Sequence, residues 1–305
     1  MTNFGLLIDY IMSDLIRGSK EFALFLKQEY DSGLSISYLD KKYNTDCYYH
    51  FKKFNIPKRT NKENLLVKEK LRTGRYKLNW TCDSITNEIE AYIIGFMLSD
   101  GWNGKQAGFR LNEDDKYMVE RIKNYFSKEI HLKSEGKSFG FVISSNMVCR
   151  NLEKLGVVRN KTYKELSIPY MPQNLVRHFI RGYFDGDGCI FICNNKNNKF
   201  LKGNICSSTI NILSEIKKIL VDNNIECIIN KESRKGKIMK VPNGEALCKN
   251  DMYRLFFRKK NSILNLFHYM YDGSTIYLKR KFDKFNDNLD MLTYKRHVNT
   301  ELTGL

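Results

Sequence analysis

One short pattern occurs twice in this chain, and its spacing constrains the fold more than any other feature. EAYIIGFMLSDGW runs from Glu90 to Trp102, and RHFIRGYFDGDGC runs from Arg177 to Cys189, a shift of 87 positions. The shift aligns aromatic with aromatic, glycine with glycine and aspartate with aspartate. Two copies of one unit predict a pseudo-two-fold pair of repeats rather than a solenoid.

The segments that follow each copy also correspond. DDKYMVERIKNYF and INILSEIKKIL both carry apolar residues three and four positions apart, which predicts amphipathic helices. FGFVISSNMVCRNLEKLG and YRLFFRKKNSILNLFHYM both predict a strand followed by a helix. The sequence therefore predicts an α+β fold with a first repeat at 87–172, a second at 173–290 and a tail at 291–305.

Each copy predicts a buried helix, because it is apolar on nearly all sides. Small residues lie four positions apart in both copies, Gly95 with Ser99 and Gly182 with Gly186. This spacing lets two helix backbones approach closely. We therefore expect these four residues to form a helix–helix interface.

Asp100 and Asp187 follow at the C-terminal ends of these helices. A carboxylate there faces the negative end of the helix dipole, at a cost of roughly 0.3–1 kcal/mol. If the helices pair, the two acids also repel each other, which raises one pKa. A divalent cation between them removes both penalties, so the repeated acid predicts a metal site.

The net charge of +17, from 51 Lys and Arg against 34 Asp and Glu, predicts a polyanionic partner. Nucleic acid is favoured over a membrane, because no basic amphipathic helix with a clean apolar face stands out. No run approaches 18 consecutive apolar residues either. The eight cysteines are irregularly spaced without a CxxC pair, which disfavours a zinc cluster and is typical of a reduced, cytoplasmic protein.

A separate helical domain is predicted at 1–60, followed by a basic linker at 61–86. KEFALFLKQEYDSG, SISYLDKKY and CYYHFKKFNI predict three helices, with Gly33 ending the first and Ser35 capping the second. The lengths and spacing of these helices are similar to the helix-turn-helix of many DNA-binding proteins. A small helical bundle that only packs on the rest of the chain fits the same pattern. The linker is either solvated or a tether along the DNA backbone. The side chains expected to face DNA are Tyr48, Tyr49, Lys52 and Lys53.

The stretches IIGFMLSDG and IRGYFDGDG resemble the two copies of the LAGLIDADG motif, the signature of a homing endonuclease family. The second copy matches well, whereas in the first Leu98 replaces the first acid and Ser99 replaces a Gly or Ala. The resemblance implies two αββαββα repeats whose antiparallel sheets form a saddle over the DNA major groove. It also implies that Asp100 and Asp187 bind Mg²⁺ or Mn²⁺, while the first acid of the second motif, Asp185, is dispensable.

The family's activity would make this chain a monomeric, site-specific double-strand DNA endonuclease of a mobile genetic element. A basic residue from each half usually completes the site, and the matching segments offer Lys161 and Lys281, with Lys164 and Lys279 as neighbours. The strands after each motif are expected to contact DNA, because Asn, Gln, Lys and Arg read base edges and grip phosphates. These contacts would come from Trp102, Asn103, Lys105, Gln106, Arg110, Asn112, Asn195, Lys196, Lys199, Lys202, Asn204, Arg234 and Lys237.

Two alternatives from other classes remain open. An intron-splicing maturase would keep this fold and bind RNA, and a transcription regulator would join a degenerate copy of it to a helix-turn-helix. Both tolerate loss of the acids, so retention of Asp100 and Asp187 favours the nuclease. Richness in Lys, Asn, Ile and Tyr favours an AT-rich genome, such as that of a phage in a low-GC bacterium, although an organelle also fits.

Overall fold

The computed structural model describes residues 18–64, 77–195, 198–241 and 244–293. The chain divides into two compact units, Met1–Thr73 and Gly74–Leu305. Part of the predicted linker, 65–76, and part of the predicted tail, 294–305, lie outside the described residues. Within the described ranges, no helix is long and apolar enough to cross a membrane.

In its described residues, 18–64, the N-terminal unit has three helices around a small core of its own. Each begins at a polar residue whose side chain accepts a backbone N–H, and Ser35 is one of these caps, as predicted. Asn44, in the left-handed conformation, ends the second helix and turns the chain toward the third. The helices are α1 (Lys20–Asp31), α2 (Ile36–Tyr43) and α3 (Cys47–Lys53), around a core of Phe22, Leu26, Tyr30, Leu39, Cys47 and Phe51.

The first half of the C-terminal unit is a three-stranded antiparallel sheet with its helices. Strand β3 is central and pairs with both β1 and β2. Phe109 and Leu111 of β1 are buried while Arg110 and Asn112 are exposed, which is the alternation of a strand with one solvated face. The elements are α4 (Glu88–Ser99), β1 (Ala107–Asn112), α5 (Lys116–Phe126), β2 (Lys133–Glu135), β3 (Ser138–Ile143) and α6 (Asn146–Lys154).

The second half has a four-stranded antiparallel sheet in the order β4-β5-β9-β6. It departs from the expected αββαββα order in two ways: a separate hairpin of β7 and β8 forms between β6 and β9, and two more helices follow the helix after β9. The first half departs as well, because it has three strands where four were expected. The elements are α7 (Val176–Asp187), β4 (Gly188–Asn195), β5 (Asn198–Ser207), α8 (Ile210–Asp222), β6 (Ile228–Glu232), β7 (Ile238–Val241), β8 (Gly244–Leu247), β9 (Met252–Phe257), α9 (Lys260–Tyr271), α10 (Lys279–Asn286) and α11 (Asp290–Thr293).

Candidate active site at the ends of two paired helices

The two motif helices, α4 and α7, meet through their backbones. A Cβ atom on Gly95 would lie 2.9 Å from the Tyr183 amide nitrogen and closer still to the Phe179 carbonyl oxygen. Gly182 faces α4 in the same way, because its Cβ would lie 3.0 Å from the Phe96 amide nitrogen. Only a residue without a Cβ fits at either position, so the two glycines set the distance between the helices.

The C-terminal ends of the helices also meet. A Cβ on Gly186 would lie 3.2 Å from Asp100 Oδ2 and closer to the Ser99 side chain. Asp100 is the C-cap of α4, and Asp187 is the last residue of α7. The helix contact therefore brings the two predicted metal ligands into one place.

Both carboxylates lie where their charge is disfavoured. Burial, and then repulsion from Asp100, raises the pKa of Asp187 to about 6, although the charges of Lys161 and Lys281 oppose this shift. Asp100 is exposed, yet partial desolvation by the surrounding protein raises the pKa of its carboxyl too. The charges of Lys281 and Lys161 oppose this rise. Perturbed carboxylates that converge in this way are typical of functional sites.

Lys161 caps the end of α4. Its ammonium donates to the carbonyl oxygens of Met97, Ser99 and Gly101, at 2.9, 2.5 and 2.7 Å. The Met97 carbonyl also accepts from the Gly101 amide at 3.1 Å. A cation at this position offsets the negative end of the helix dipole. Burial lowers the pKa of Lys161 to about 8, and the Asp187 and Asp100 carboxylates limit the fall.

Lys281 caps the end of α7 in the same manner. The residue is buried, and burial lowers the pKa of its ammonium, opposed first by the Asp185 carboxylate. Its Nζ donates at 2.5–3.0 Å to the carbonyl oxygens of Phe184, Asp185, Gly186 and Gly188.

The two lysines occupy matching places although they are not matched in sequence. Adding 87 to Met97, Ser99 and Gly101 gives positions 184, 186 and 188, and all three of those carbonyls accept from Lys281. Each half therefore ends its motif helix with one acid and one lysine ammonium bonded to the helix carbonyls.

A pocket of about 190 Å³ opens beside Asp187 and Lys161. It gives solvent-sized molecules access to one acid and one lysine. Its lining consists of Leu98, Ser99, Lys161, Leu166, Tyr183, Asp187, Cys206, Ser207, Ser208 and Met252.

Asp185 is the residue whose place differs most from expectation. It is fully buried and accepts hydrogen bonds from Tyr92 Oη at 2.8 Å, the Leu278 amide at 2.7 Å and Tyr271 Oη at 3.4 Å. Burial raises its pKa to about 6, while the Leu278 amide and the Lys281 ammonium oppose the rise. A carboxylate with three buried partners is not dispensable for packing, because its loss would leave donors unpaired.

Sequence reasoning missed a second buried charge on α7. Arg181 is fully buried, and its guanidinium donates to Ile276 O, Met270 O and Glu88 Oε1 at 2.6–2.8 Å. Glu88 is the first residue of α4, so the pair joins the two motif helices at the ends away from the acids. The available signal was an arginine within a run of apolar residues.

Two of the side chains predicted to contact DNA, Asn103 and Asn204, are buried in the structure. Asn103 donates to the carbonyl oxygens of Cys149 and Val157, at 2.8 and 2.7 Å. Asn204 accepts from Cys206 Sγ inside the second sheet. Both side chains therefore have partners within the protein.

The other described positions lie at the surface or partly so. Arg110 pairs with Glu135, and Arg234 pairs with Glu232, so these two cations already have partners within the protein. Lys196 and the side chain of Asn195 lie outside the described residues. The exposed predicted positions are Trp102, Lys105, Gln106, Arg110, Asn112, Lys199 and Lys237, with Lys202 and Arg234 half-buried.

Helix α3 of the N-terminal unit exposes the four side chains predicted there, Tyr48, Tyr49, Lys52 and Lys53. Its opposite side, with His50 and Phe51, is buried. The helix therefore presents one aromatic and basic face and packs with the other. The Lys58 ammonium lies 4.2 Å from the centre of the Tyr48 ring and adds a further cation to this face.

No protein-family model matches the sequence, and comparison with curated proteins gives no match. Among solved structures, the homing endonuclease I-GzeII in complex with its DNA target is 14% identical, with a TM-score of 0.46, over 71% of this chain and 94% of that one. I-LtrWI bound to target DNA is 16% identical, with a TM-score of 0.46, over 70% and 93%. The meganuclease I-AabMI bound to uncleaved DNA is 15% identical, with a TM-score of 0.43, over 68% and 91%. At such distances, function has to be inferred from the site itself.

Proposed function

We propose that this protein is a site-specific double-strand DNA endonuclease of the LAGLIDADG homing type. The observation that carries the proposal is the pair of acids at the joined ends of α4 and α7, each with a lysine bonded to the neighbouring carbonyls. Carboxylates and ammonium groups at one place suit phosphodiester hydrolysis, since they hold a metal and offset developing charge. Because one chain supplies both halves, the enzyme acts as a monomer.

A divalent cation fits the donor set. Within the described ranges, no cluster of three or more His, Cys, Asp or Glu side chains could hold a metal by itself. Two carboxylates do suit Mg²⁺ or Mn²⁺, because Mg²⁺ commonly takes one or two carboxylates together with waters and substrate phosphates. Bound there by Asp100 and Asp187, the ion would supply Lewis-acid chemistry at the scissile phosphate.

The remaining catalytic work falls to the protein. Lys161 and Lys281 keep positive charge beside the acids, where the phosphate's charge develops, and neutralise the ends of the motif helices. The matching carbonyl contacts of the two lysines support a pseudo-two-fold relation between the halves. Two equivalent centres suit the cutting of both DNA strands.

DNA binding would use both units. The exposed lysine, asparagine and glutamine side chains of the strands after each motif would contact one part of the target. The three-residue turn between α2 and α3, and the basic face of α3, are typical of a helix-turn-helix, so we assign the N-terminal unit to a second part of the target.

The test uses duplex DNA from the locus that flanks the gene, with Mg²⁺. We expect wild type to cut at one site and Asp100→Asn and Asp187→Asn to lose activity by more than roughly 100-fold, because each removes a metal ligand. Asp222→Asn, an exposed acid on α8, is the matched control and should cut normally. Cleavage that survives both site substitutions would refute the mechanism, and tight binding without cleavage would favour the regulator.

A further inference from the structure

Residues 275–281 run from the connection after α9 into the first turn of α10 and end at Lys281; we call this segment the strap. Its first contacts are with the start of α4. The Thr275 amide donates to Glu88 Oε1 at 2.7 Å, and the Thr275 hydroxyl donates to Glu88 Oε2 at 3.0 Å. A segment near the end of the second half is therefore bonded to the first motif helix.

The middle of the strap is bonded to α7. The Leu278 amide donates to the buried Asp185 carboxylate, which also accepts from Tyr92 Oη of α4. The Asp185 carboxylate thus joins the strap to both motif helices. Its contact with the strap, at Leu278, lies three residues before Lys281.

The end of the strap is bonded to the first half again. The Lys279 amide donates to Tyr117 Oη at 2.5 Å. Arg280 Nε donates to both oxygens of the buried Asp115, at 2.9 and 3.2 Å. These two contacts are made by the two residues that immediately precede Lys281.

Lys161 is held differently. It begins a single 3-10 turn, Lys161–Tyr163, whose backbone hydrogen bonds are local: Tyr163 donates to Asn160, and Lys164 donates to Lys161. The lysine of the first half therefore depends on its own turn, whereas the lysine of the second half depends on contacts with the first half.

We propose that Asp115 and Tyr117 are positioning residues for Lys281, so that the second centre works only when the strap is fixed to the first half. This inference rests on the proposed nuclease function. It makes the two strand cuts unequal: loosening the strap should slow the cut that uses Lys281 and spare the other.

The test compares wild type with the double variant Asp115→Asn and Tyr117→Phe, using a duplex labelled differently on each strand. We expect single-turnover cleavage of one strand to slow by roughly 10- to 100-fold, the range for a misplaced catalytic group, so that nicked DNA accumulates. The Kd for DNA should change less than about two-fold, since the substituted groups hold the strap rather than the DNA. Asp283→Asn is the control, because it breaks the Lys279–Asp283 pair within the same helix without releasing the strap.

A second readout requires no cleavage. Amine acylation of the native protein, read by peptide mass spectrometry, should find Lys281 protected in wild type, because its ammonium is buried on four carbonyls. Lys161, which is half-buried beside the pocket, serves as the internal reference. In the double variant, Lys281 should become more reactive, while the reactivity of Lys161 stays as in wild type. If the double variant does not fold, Tyr117→Phe alone, which removes one hydroxyl from an exposed residue, should increase the acylation of Lys281 by a smaller amount.

Unchanged protection of Lys281 in the double variant would overturn the positioning role. Equal slowing of the cleavage of both strands would overturn it as well. If wild type cuts no DNA, the nuclease proposal fails, and the acylation result alone then decides whether the strap positions this lysine.

Discussion

At the scale of single residues, burial acts in opposite directions on the groups at the helix ends. It raises the pKa of Asp187 to about 6 and lowers the pKa of Lys161 to about 8. In each case the charged form is disfavoured, so the site stores unfavourable free energy in the absence of a ligand. Stability alone would not select such an arrangement, but the binding of a metal and a phosphate would.

Asp187→Asn should stabilise the metal-free protein at neutral pH. The pKa of this carboxyl is near 3.9 in the unfolded chain and about 6 in the folded protein. Its charge therefore destabilises the folded state fully above pH 6 and has no effect below pH 4, where the carboxyl is protonated in both states. We expect the variant's free energy of unfolding to exceed that of wild type by roughly 1–3 kcal/mol at pH 8.

Urea denaturation with a chelator present, at pH 8 and pH 4, measures this difference. The gain should vanish at the lower pH, where the carboxyl is protonated in both states. A variant that is less stable than wild type at pH 8 would contradict the assigned pKa shift.

At the scale of elements, the contact between α4 and α7 carries the site. Gly95 and Gly182 lie against the backbone of the opposite helix. A backbone cannot move aside to make room for a Cβ atom as a flexible side chain could. The separation of the helices is therefore fixed by the absence of two Cβ atoms. The spacing of the acids follows from that separation.

Gly182→Ala should destabilise the protein strongly. Its Cβ would overlap the Tyr92 carbonyl group and lie 3.0 Å from the Phe96 amide nitrogen, so α4 and α7 must separate. We expect a loss of more than roughly 3 kcal/mol in the free energy of unfolding, as for severe overpacking. Gly104→Ala is the control, because the nearest atom to its Cβ would be Arg159 Cδ at 3.9 Å. Chemical denaturation that finds both variants equally stable would refute the close helix contact.

At the scale of the whole molecule, a net charge of +17 is divided between two units. The N-terminal unit has its own core and exposes Tyr48, Tyr49, Lys52 and Lys53 on α3. Cations that touch phosphates release counterions on binding, so their contribution is measured by the salt dependence of affinity.

Lys52→Gln with Lys53→Gln should weaken DNA binding and flatten its salt dependence. If each lysine neutralises one phosphate, the slope of log K against log salt should fall by roughly 2. Fluorescence anisotropy on the full chain between low and moderate salt measures the slope. Lys20→Gln with Lys27→Gln, on α1, removes the same charge from another helix and should change the slope less. Equal effects of the two pairs would contradict a DNA-reading role for α3.

Local patterns in the sequence predicted much of this molecule. The apolar periodicity predicted both motif helices, and their ends at Asp100 and Asp187 are confirmed. Helix formation and caps depend on residues within a few positions of one another, so a sequence shows them directly. Lys161 and Lys281 came from a family resemblance, since nothing local separates them from the other lysines of a basic chain.

Only the tertiary structure decided the roles of Asp185, Asn103 and Asn204. Asp185 finds the Leu278 amide 93 residues away, and Asn103 finds the Val157 carbonyl 54 residues away. A polar residue looks the same in a sequence whether it faces water or pairs in the core, because its partner is set by packing between distant segments. The sequence by itself determined which helices form and where their acids lie; the packing of the two halves determined which polar groups are free to act.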